Sequence, residues 1–393
     1  MACFLHQPGI VCALGSSHAE VRAALWTSDA PRGIVVSDRY SPDRALPLGE
    51  VSAALPAIEG WPLEHRSRTN ALLAAALAPI RAEVEAAVER FGPQRVGVVI
   101  GGSTSGVPEG EAAAAFHAAN GYWPEGYDYR QQEMGAGARF LAWQLGIEGP
   151  AHLISTACSS GPKALASAAR MLNAGIVDAV VTGGADALSR FTVAGFGALG
   201  SLSSERSRPL SARRDGLNLG EGAALFLMTR EPGPVRLSGW GESSDAHHMS
   251  APDPSGAGAM RAMAATLQRA GVEPGAVDYL NLHGTGTPQN DAMESLAVSA
   301  VLGHEVPVSS TKPLTGHALG AAGAIEAAFA WLTLVGNPRG RLPGHWWDGE
   351  RDPQLAPLRL SEPGESLGYA PRHVMSNSFA FGGSNACVLL SQA

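Results

Sequence analysis

The chain is poor in charge, in aromatic residues and in cysteine. Charged residues make up 16% and aromatic residues 6% of the 393 positions, against 45% hydrophobic. That balance excludes a disordered chain, which would have low hydrophobicity and high charge. Four cysteines show neither metal-ligand spacing nor the density of a disulfide scaffold, so a reducing cytoplasm is expected. No basic stretch precedes the mildly apolar start, which argues against a cleaved signal peptide. The longest apolar segment, residues 318–335, contains Glu326 and many small residues and reads as a core helix rather than a membrane span. With a net charge of −8, the chain lacks the excess of Lys and Arg that broad nucleic-acid binding requires.

Glycine, by contrast, is abundant: 48 residues, many in pairs or Gly-x-Gly clusters, imply numerous tight turns and close backbone approaches. Apolar β-branched runs alternate with Ala-rich helical stretches, which predicts parallel or mixed sheets with covered faces. Pro232-Gly233-Pro234 divides two such series, and the order of strand, polar loop, helix and strand is similar in both. This suggests an internal duplication, with residues 1–233 and 234–393 as its halves. Loops from corresponding ends of two sheets could then meet in one cleft.

Cys158 lies between the strand-like run Ala151 to Ile154 and a helical run from Lys163 to Asn173. A thiol at a helix N-terminus is expected to have a lowered pKa and a nucleophilic thiolate, although a buried inert cysteine is equally compatible with the motif alone. His283 follows another strand-like run and opens the loop His283-Gly284-Thr285-Gly286-Thr287-Pro288, with Asp291 just beyond. Lys312 and His317 follow a third run and precede the helix that carries Glu326. A carboxylate buried in such a helix needs a partner, and Lys312 is the candidate, as a catalytic pair or as a plain buried ion pair. The turn from Asn377 to Asn385, with Phe381-Gly382-Gly383 at its centre, could aim backbone N–H groups at an oxyanion or serve as an ordinary hairpin.

Taken together, a cysteine, two histidines, a lysine and a glycine-rich turn, each at the end of a separate strand, resemble the β-ketoacyl-acyl-carrier-protein synthases, the elongating branch of the thiolase-like superfamily. Gly183-Gly184-Ala185-Asp186, Arg208-Pro209-Leu210 and Ser244-Asp245-Ala246-His247-His248-Met249 belong to the same resemblance. It implies a five-layered αβαβα fold built from two duplicated halves with mixed sheets. It further implies that Cys158 holds an acyl chain as a thioester and that malonyl-carrier protein extends it by two carbons after decarboxylation. In that scheme His283 and His317 donate to the enolate oxygen with tautomers fixed by their neighbours, and Lys312 and Glu326 frame them. The backbone N–H groups of Cys158 and Phe381 hold the thioester oxygen, Phe381 and Phe196 gate the cysteine, and Thr285 and Thr287 bind the phosphopantetheine arm, with Asp291 counted among the substrate-binding residues. No cofactor and no metal is implied, since the substrates arrive on the phosphopantetheine of an acyl carrier protein.

Arg66, Arg68 and Arg130 match a basic patch that would dock the acidic carrier. The resemblance also implies a homodimer, or a heterodimer with a chain-length-factor-like subunit, and neither a nucleic acid nor a membrane partner. Thr104 stands where many family members carry an apolar residue of the acyl pocket, and the segment Gly121 to Tyr129 is unlike housekeeping fatty-acid enzymes. Both features point toward a secondary pathway of the aryl polyene type, with ordinary fatty-acid elongation as the competitor. Two other classes remain: a non-catalytic chain-length-factor subunit, which typically lacks the nucleophile, and a Cys-His thioester hydrolase, which has no use for the second histidine. Against the hydrolase, a His317→Ala protein is expected to acylate but to condense poorly.

Overall fold

The computed structural model describes residues 2–393. Its strands are β1 (Phe4–Leu5), β2 (Gly9–Cys12), β3 (Val35–Ser37), β4 (Leu46–Leu48), β5 (Val96–Gly101), β6 (Ala151–Ile154), β7 (Ala179–Asp186), β8 (Gly222–Thr229), β9 (Val235–Ser244), β10 (Tyr279–Asn281), β11 (Pro307–Ser309), β12 (Arg359–Leu360), β13 (His373–Ala380) and β14 (Ser384–Gln392). The helices are α1 (His18–Leu25), α2 (Arg68–Leu77), α3 (Arg81–Phe91), α4 (Val107–Asn120), α5 (Ala136–Leu145), α6 (Ser160–Asn173), α7 (Arg190–Ala198), α8 (Ala257–Ala270), α9 (Pro288–Leu302), α10 (Lys312–Thr315) and α11 (Ala322–Leu334). Most of the apolar runs predicted from sequence become strands, usually longer than the run itself, because ladder pairing extends order into flanking polar residues.

Two arrays repeat one topology. In the first, β5 lies between parallel neighbours β6 and β7, β8 runs antiparallel to β7, and β1 and β2 pair antiparallel with β8. In the second, β10 lies between parallel neighbours β11 and β13, β14 runs antiparallel to β13, and β9 pairs antiparallel with β14. Short β1 also pairs with β9, so the ladders form one continuous 12-stranded sheet that folds over on itself.

Helices α2 and α5 cover the outer face of the first array and α8 and α9 that of the second, while α6 and α11 pack against each other between the two. The result is the expected five-layered α/β arrangement. Enclosure explains the composition of α11, whose 13 residues are all buried and include a single charge, Glu326. A helix covered on every side needs no polar face. Small residues let α6 and α11 approach closely: a Cβ on Gly161 would lie 2.6 Å from the Ala324 backbone nitrogen, and one on Gly323 would lie 2.5 Å from Pro162. Parallel strands on both sides of this layer direct their C-terminal loops toward the same end, where the predicted chemistry resides.

Candidate active site

The Cys158 turn follows β6 and feeds α6. Ala157 adopts φ +51°, a conformation that is uncommon for a residue with a side chain, and turns the cysteine toward the second array. Ser160 stabilises the turn by accepting from the Thr156 N–H at 2.9 Å and donating to the Ala157 carbonyl. Cys158 Sγ lies 2.9 Å from His317 Nε2 and receives a hydrogen bond from the Phe381 backbone.

The expected low pKa of this thiol is not what the structure supports. Burial pushes Cys158 up to about 11, while Lys312 and the Phe381 backbone pull it down and Asp186 raises it. Desolvation of the thiolate in a closed site outweighs the favourable charges around it. The resting sulfur is therefore a thiol, poised to give its proton to His317. This also shifts the expected behaviour of His317→Ala, because the imidazole stands against the nucleophile itself.

His283 and His317 meet edge to face with ring centroids 5.3 Å apart. Both pKa values lie well below the ordinary histidine value, through burial and the Lys312 charge, so both rings are neutral at pH 7. Neither Nδ1 has a hydrogen-bond partner, contrary to the expectation of neighbours that fix the tautomer. Either ring can thus carry its proton on Nδ1 or on Nε2, which permits His317 to accept a proton at Nε2 and later to donate from the same atom. The His317 backbone is clamped instead, its N–H donating to the Asn218 carbonyl at 2.7 Å and its carbonyl accepting from Gly220 at 3.0 Å.

Lys312 Nζ donates to Glu326 Oε1 at 2.6 Å, and both side chains are buried. The pair predicted across this turn is formed. The cavity above the sulfur has a volume of about 60 Å³ and is lined by Phe196, His283, Thr285, Thr287, His317 and Phe381, among others. That volume has room for a few waters but not for an acyl chain. Phe196 and Phe381 stack at 5.6 Å across its opening, and the Thr285 and Thr287 hydroxyls lie 2.9 Å apart on its wall.

Other predicted residues are engaged elsewhere. Thr104 Oγ1 donates to buried Asp186 at 2.7 Å, so its hydroxyl is structural and says nothing about the acyl chain. Asp291 is buried behind the cavity, where its carboxylate accepts from the Leu210 and Gly286 N–H groups at 2.7 and 3.2 Å and shapes the Thr285–Thr287 loop from below. Arg68 is unsuited to docking because its guanidinium pairs with fully buried Glu221. Arg66 donates to the Trp61 carbonyl at 2.7 Å, and exposed Arg130 pairs with Asp128 and Glu64.

Two supporting carboxylates were given no role by the sequence: Glu294, and Asp186, which the sequence offered only as part of a matching stretch. Glu294 on α9 accepts from the backbone N–H groups of His283 and Gly284 at 2.8 and 2.7 Å, and burial raises its pKa to about 7. The signal was available, because Asp291 and Glu294 stand three residues apart on one face of a helix that follows the histidine loop. Asp186 accepts from Ser103, Thr104 and Gly320, joining the loop after β5 to the segment that enters α11.

Cys158, His283 and His317 also bring three donor atoms within 4.8 Å of one another, a set able to ligate a soft metal ion. Metal-bound histidines normally have the second ring nitrogen oriented by a carboxylate or carbonyl, and here both are unpartnered, so the trio lacks the outer support of a built metal centre.

Comparison with known proteins agrees with this geometry. The family model described as "Beta-ketoacyl synthase, N-terminal domain" matches residues 68–232, and that described as "Beta-ketoacyl synthase, C-terminal domain" matches residues 235–337. The chain belongs to the β-ketoacyl synthase family. The solved ketosynthase ApeO of Xenorhabdus doucetiae, in complex with its chain length factor ApeC, is 43% identical, with a TM-score of 0.93 over 100% of this chain and 98% of that one. A mitochondrial 3-oxoacyl-[acyl-carrier-protein] synthase of Arabidopsis thaliana is 35% identical over 64% of this chain and 58% of its own length. The 3-oxoacyl-[acyl-carrier-protein] synthase 2 of Vibrio cholerae is 36% identical over 64% of each chain. The match thus spans less than two thirds of these curated relatives.

Proposed function

We propose that this chain is an acyltransferase that condenses an acyl thioester with malonyl-acyl-carrier protein. The observation that carries the reading is the Cys158–His317 contact of 2.9 Å, with His283, the Lys312–Glu326 pair and the Phe381 N–H around the same sulfur. In the first step Cys158 Sγ attacks the acyl thioester carbon. Its proton passes to His317 Nε2, and the carrier thiolate leaves and takes up that proton. The Cys158 and Phe381 N–H groups hold the transient oxyanion.

In the second step malonyl-carrier protein loses carbon dioxide, and its enolate oxygen is held by His283 and His317 as neutral N–H donors. The enolate carbon attacks the acyl-Cys158 carbonyl, the carbon–sulfur bond breaks, and the departing Cys158 thiolate takes up one proton from solvent, the proton that the decarboxylative condensation consumes overall. The product is a β-ketoacyl thioester two carbons longer. Thr285 and Thr287 bind the phosphopantetheine arm, and separation of Phe196 from Phe381 admits the acyl chain. The reaction needs no metal or redox cofactor.

Residues 1–233 supply the nucleophile and residues 234–393 the histidines, as two halves of one enzyme working in the cytoplasm. A chain-length-factor-like subunit is the partner we favour over a second copy, a choice supported by the ApeO–ApeC complex. Strand β6 ends the sheet with an unpaired edge, exposed Trp123 stacks between His117 and Tyr127, and exposed Tyr122 meets Phe116 edge to face, an aromatic surface that a partner would cover. The carrier would dock near the cavity mouth, and Arg130, which is exposed, is the remaining candidate of the predicted patch. The aryl polyene pathway stays the preferred setting, now resting on the segment from Gly121 to Tyr129 and not on Thr104.

The experiment is intact-mass analysis after incubation with a panel of acyl-carrier thioesters, followed by addition of malonyl carrier. An adduct on Cys158, released as a chain two carbons longer, is the expected result. Release only as free acid would favour the hydrolase, and no adduct from any starter would favour a non-catalytic subunit. Faster elongation of saturated than of aryl or polyene starters would refute the aryl polyene setting.

A further inference from the structure

Lys163 is out of place by ordinary electrostatics. It sits in the first turns of α6, where the helix dipole disfavours a cation, and it is half-buried. Desolvation lowers its pKa. Glu242, the carboxylate that acts on it, is already paired with Arg170, and no carboxylate forms a salt bridge with Lys163 among the described residues. Its one side-chain hydrogen bond among the described residues runs to Ser384 Oγ, at 2.6 Å.

That hydroxyl lies at the base of the turn that carries Phe381, and it is also 3.0 Å from Ser159 Oγ. Ser159, next to the nucleophile, donates to the Thr156 carbonyl at 2.8 Å and lies 3.0 Å from Thr156 Oγ1. One polar chain therefore connects Lys163, Ser384, Ser159 and Thr156, linking the Cys158 turn of the first array to the β13–β14 turn of the second. The β13–β14 turn needs such a tie, because Gly382 and Gly383 both take positive φ, +79° and +70°, and no Cβ restricts them.

We infer that Lys163 is a positioning residue that sets the distance between Cys158 and the Phe381 N–H, by anchoring Ser384 to the helix that carries the nucleophile. The inference rests on the synthase reading above. Lys163 touches no substrate; it acts through the oxyanion donor. Since a misplacement of about 1 Å can cost about 100-fold in rate, a partial loosening is expected to cost about 10-fold.

Two reactions of the same sulfur test this in the purified full chain. Acylation by an acyl-carrier thioester passes through an oxyanion, whereas alkylation by iodoacetamide does not. Lys163→Met is expected to slow acylation about 10-fold while alkylation stays within about twofold of wild type. Ser384→Ala is expected to do the same, the double variant to lose little more, and Lys163→Arg to recover most of the rate. Ser384→Ala removes only a hydroxyl and carries the test if Lys163→Met fails to fold. Unchanged acylation in the variants of an acylating wild type would overturn the role of Lys163, as would an equal fall in both reactions. A wild type that alkylates but is acylated by no carrier thioester would instead refute the synthase reading itself.

Discussion

The turn that carries Cys158 and the turn that carries Lys312 occupy equivalent places in the two arrays, each following a strand that runs parallel to β5 or β10, β6 in the first array and β11 in the second, and leading into the central helical layer. They differ in what comes next. After Cys158 the chain runs directly into the 14-residue α6. After Lys312 the helix lasts four residues and breaks at Gly316, with φ +66°, before α11 begins. The break turns His317 back toward the sulfur, while Lys312 reaches Glu326 in the layer below. One scaffold thus presents a cysteine at a helix start in one array and a histidine with a buried ion pair in the other, and the difference lies in where a helix is allowed to continue.

The largest effect should come from the first turn. Cys158→Ala is expected to abolish both acyl adduct and condensation, a loss of roughly 10³-fold or more in turnover, read by intact mass and product analysis. The second turn should divide its contributions. His317→Ala is expected to slow acylation about 100-fold, because the raised thiol loses its proton acceptor, whereas His283→Ala should still acylate and lose about 100-fold in condensation. Single-turnover acylation followed by malonyl addition separates the two, and equal acylation rates in both variants would break the comparison.

Stability should respond to the second turn more than to the first. Lys312→Met leaves Glu326 buried without a partner and is expected to cost about 3–5 kcal/mol, while Lys312→Met with Glu326→Leu should regain most of the stability without activity. Urea unfolding with a malonyl-condensation assay checks both.

The pH dependence sharpens the nucleophile's side. Because burial raises Cys158 to about 11, the thiolate fraction keeps increasing with pH, and alkylation by iodoacetamide should climb past pH 9 without a plateau. A plateau below pH 8 would mean that the thiolate is already formed. The smallest effect is expected at Thr104→Val, which removes one of the hydrogen bonds to Asp186, costs about 1 kcal/mol, and leaves the starter preference unchanged.

Much of the site was legible before the fold. Alternation of strands and Ala-rich helices announced the layers, and the Lys312–Glu326 pair followed from the cost of an isolated buried carboxylate. Glu294 and Asp186 were harder to read, because their work is to accept backbone N–H groups from loops that are remote or reversed in space. Arg68 and Thr104 misled for a related reason: a guanidinium or a hydroxyl is free or engaged according to what faces it, and Glu221 and Asp186 arrive from other elements.

By itself, then, the sequence determined the residue types and their places at strand ends, since hydrophobic periodicity and glycine turns are local properties. Only the tertiary structure decided how those residues meet and which charge state each adopts. Burial between two sheets is what keeps the Cys158 thiol protonated and both imidazoles neutral, and desolvation of that kind is set by packing from every side of the fold.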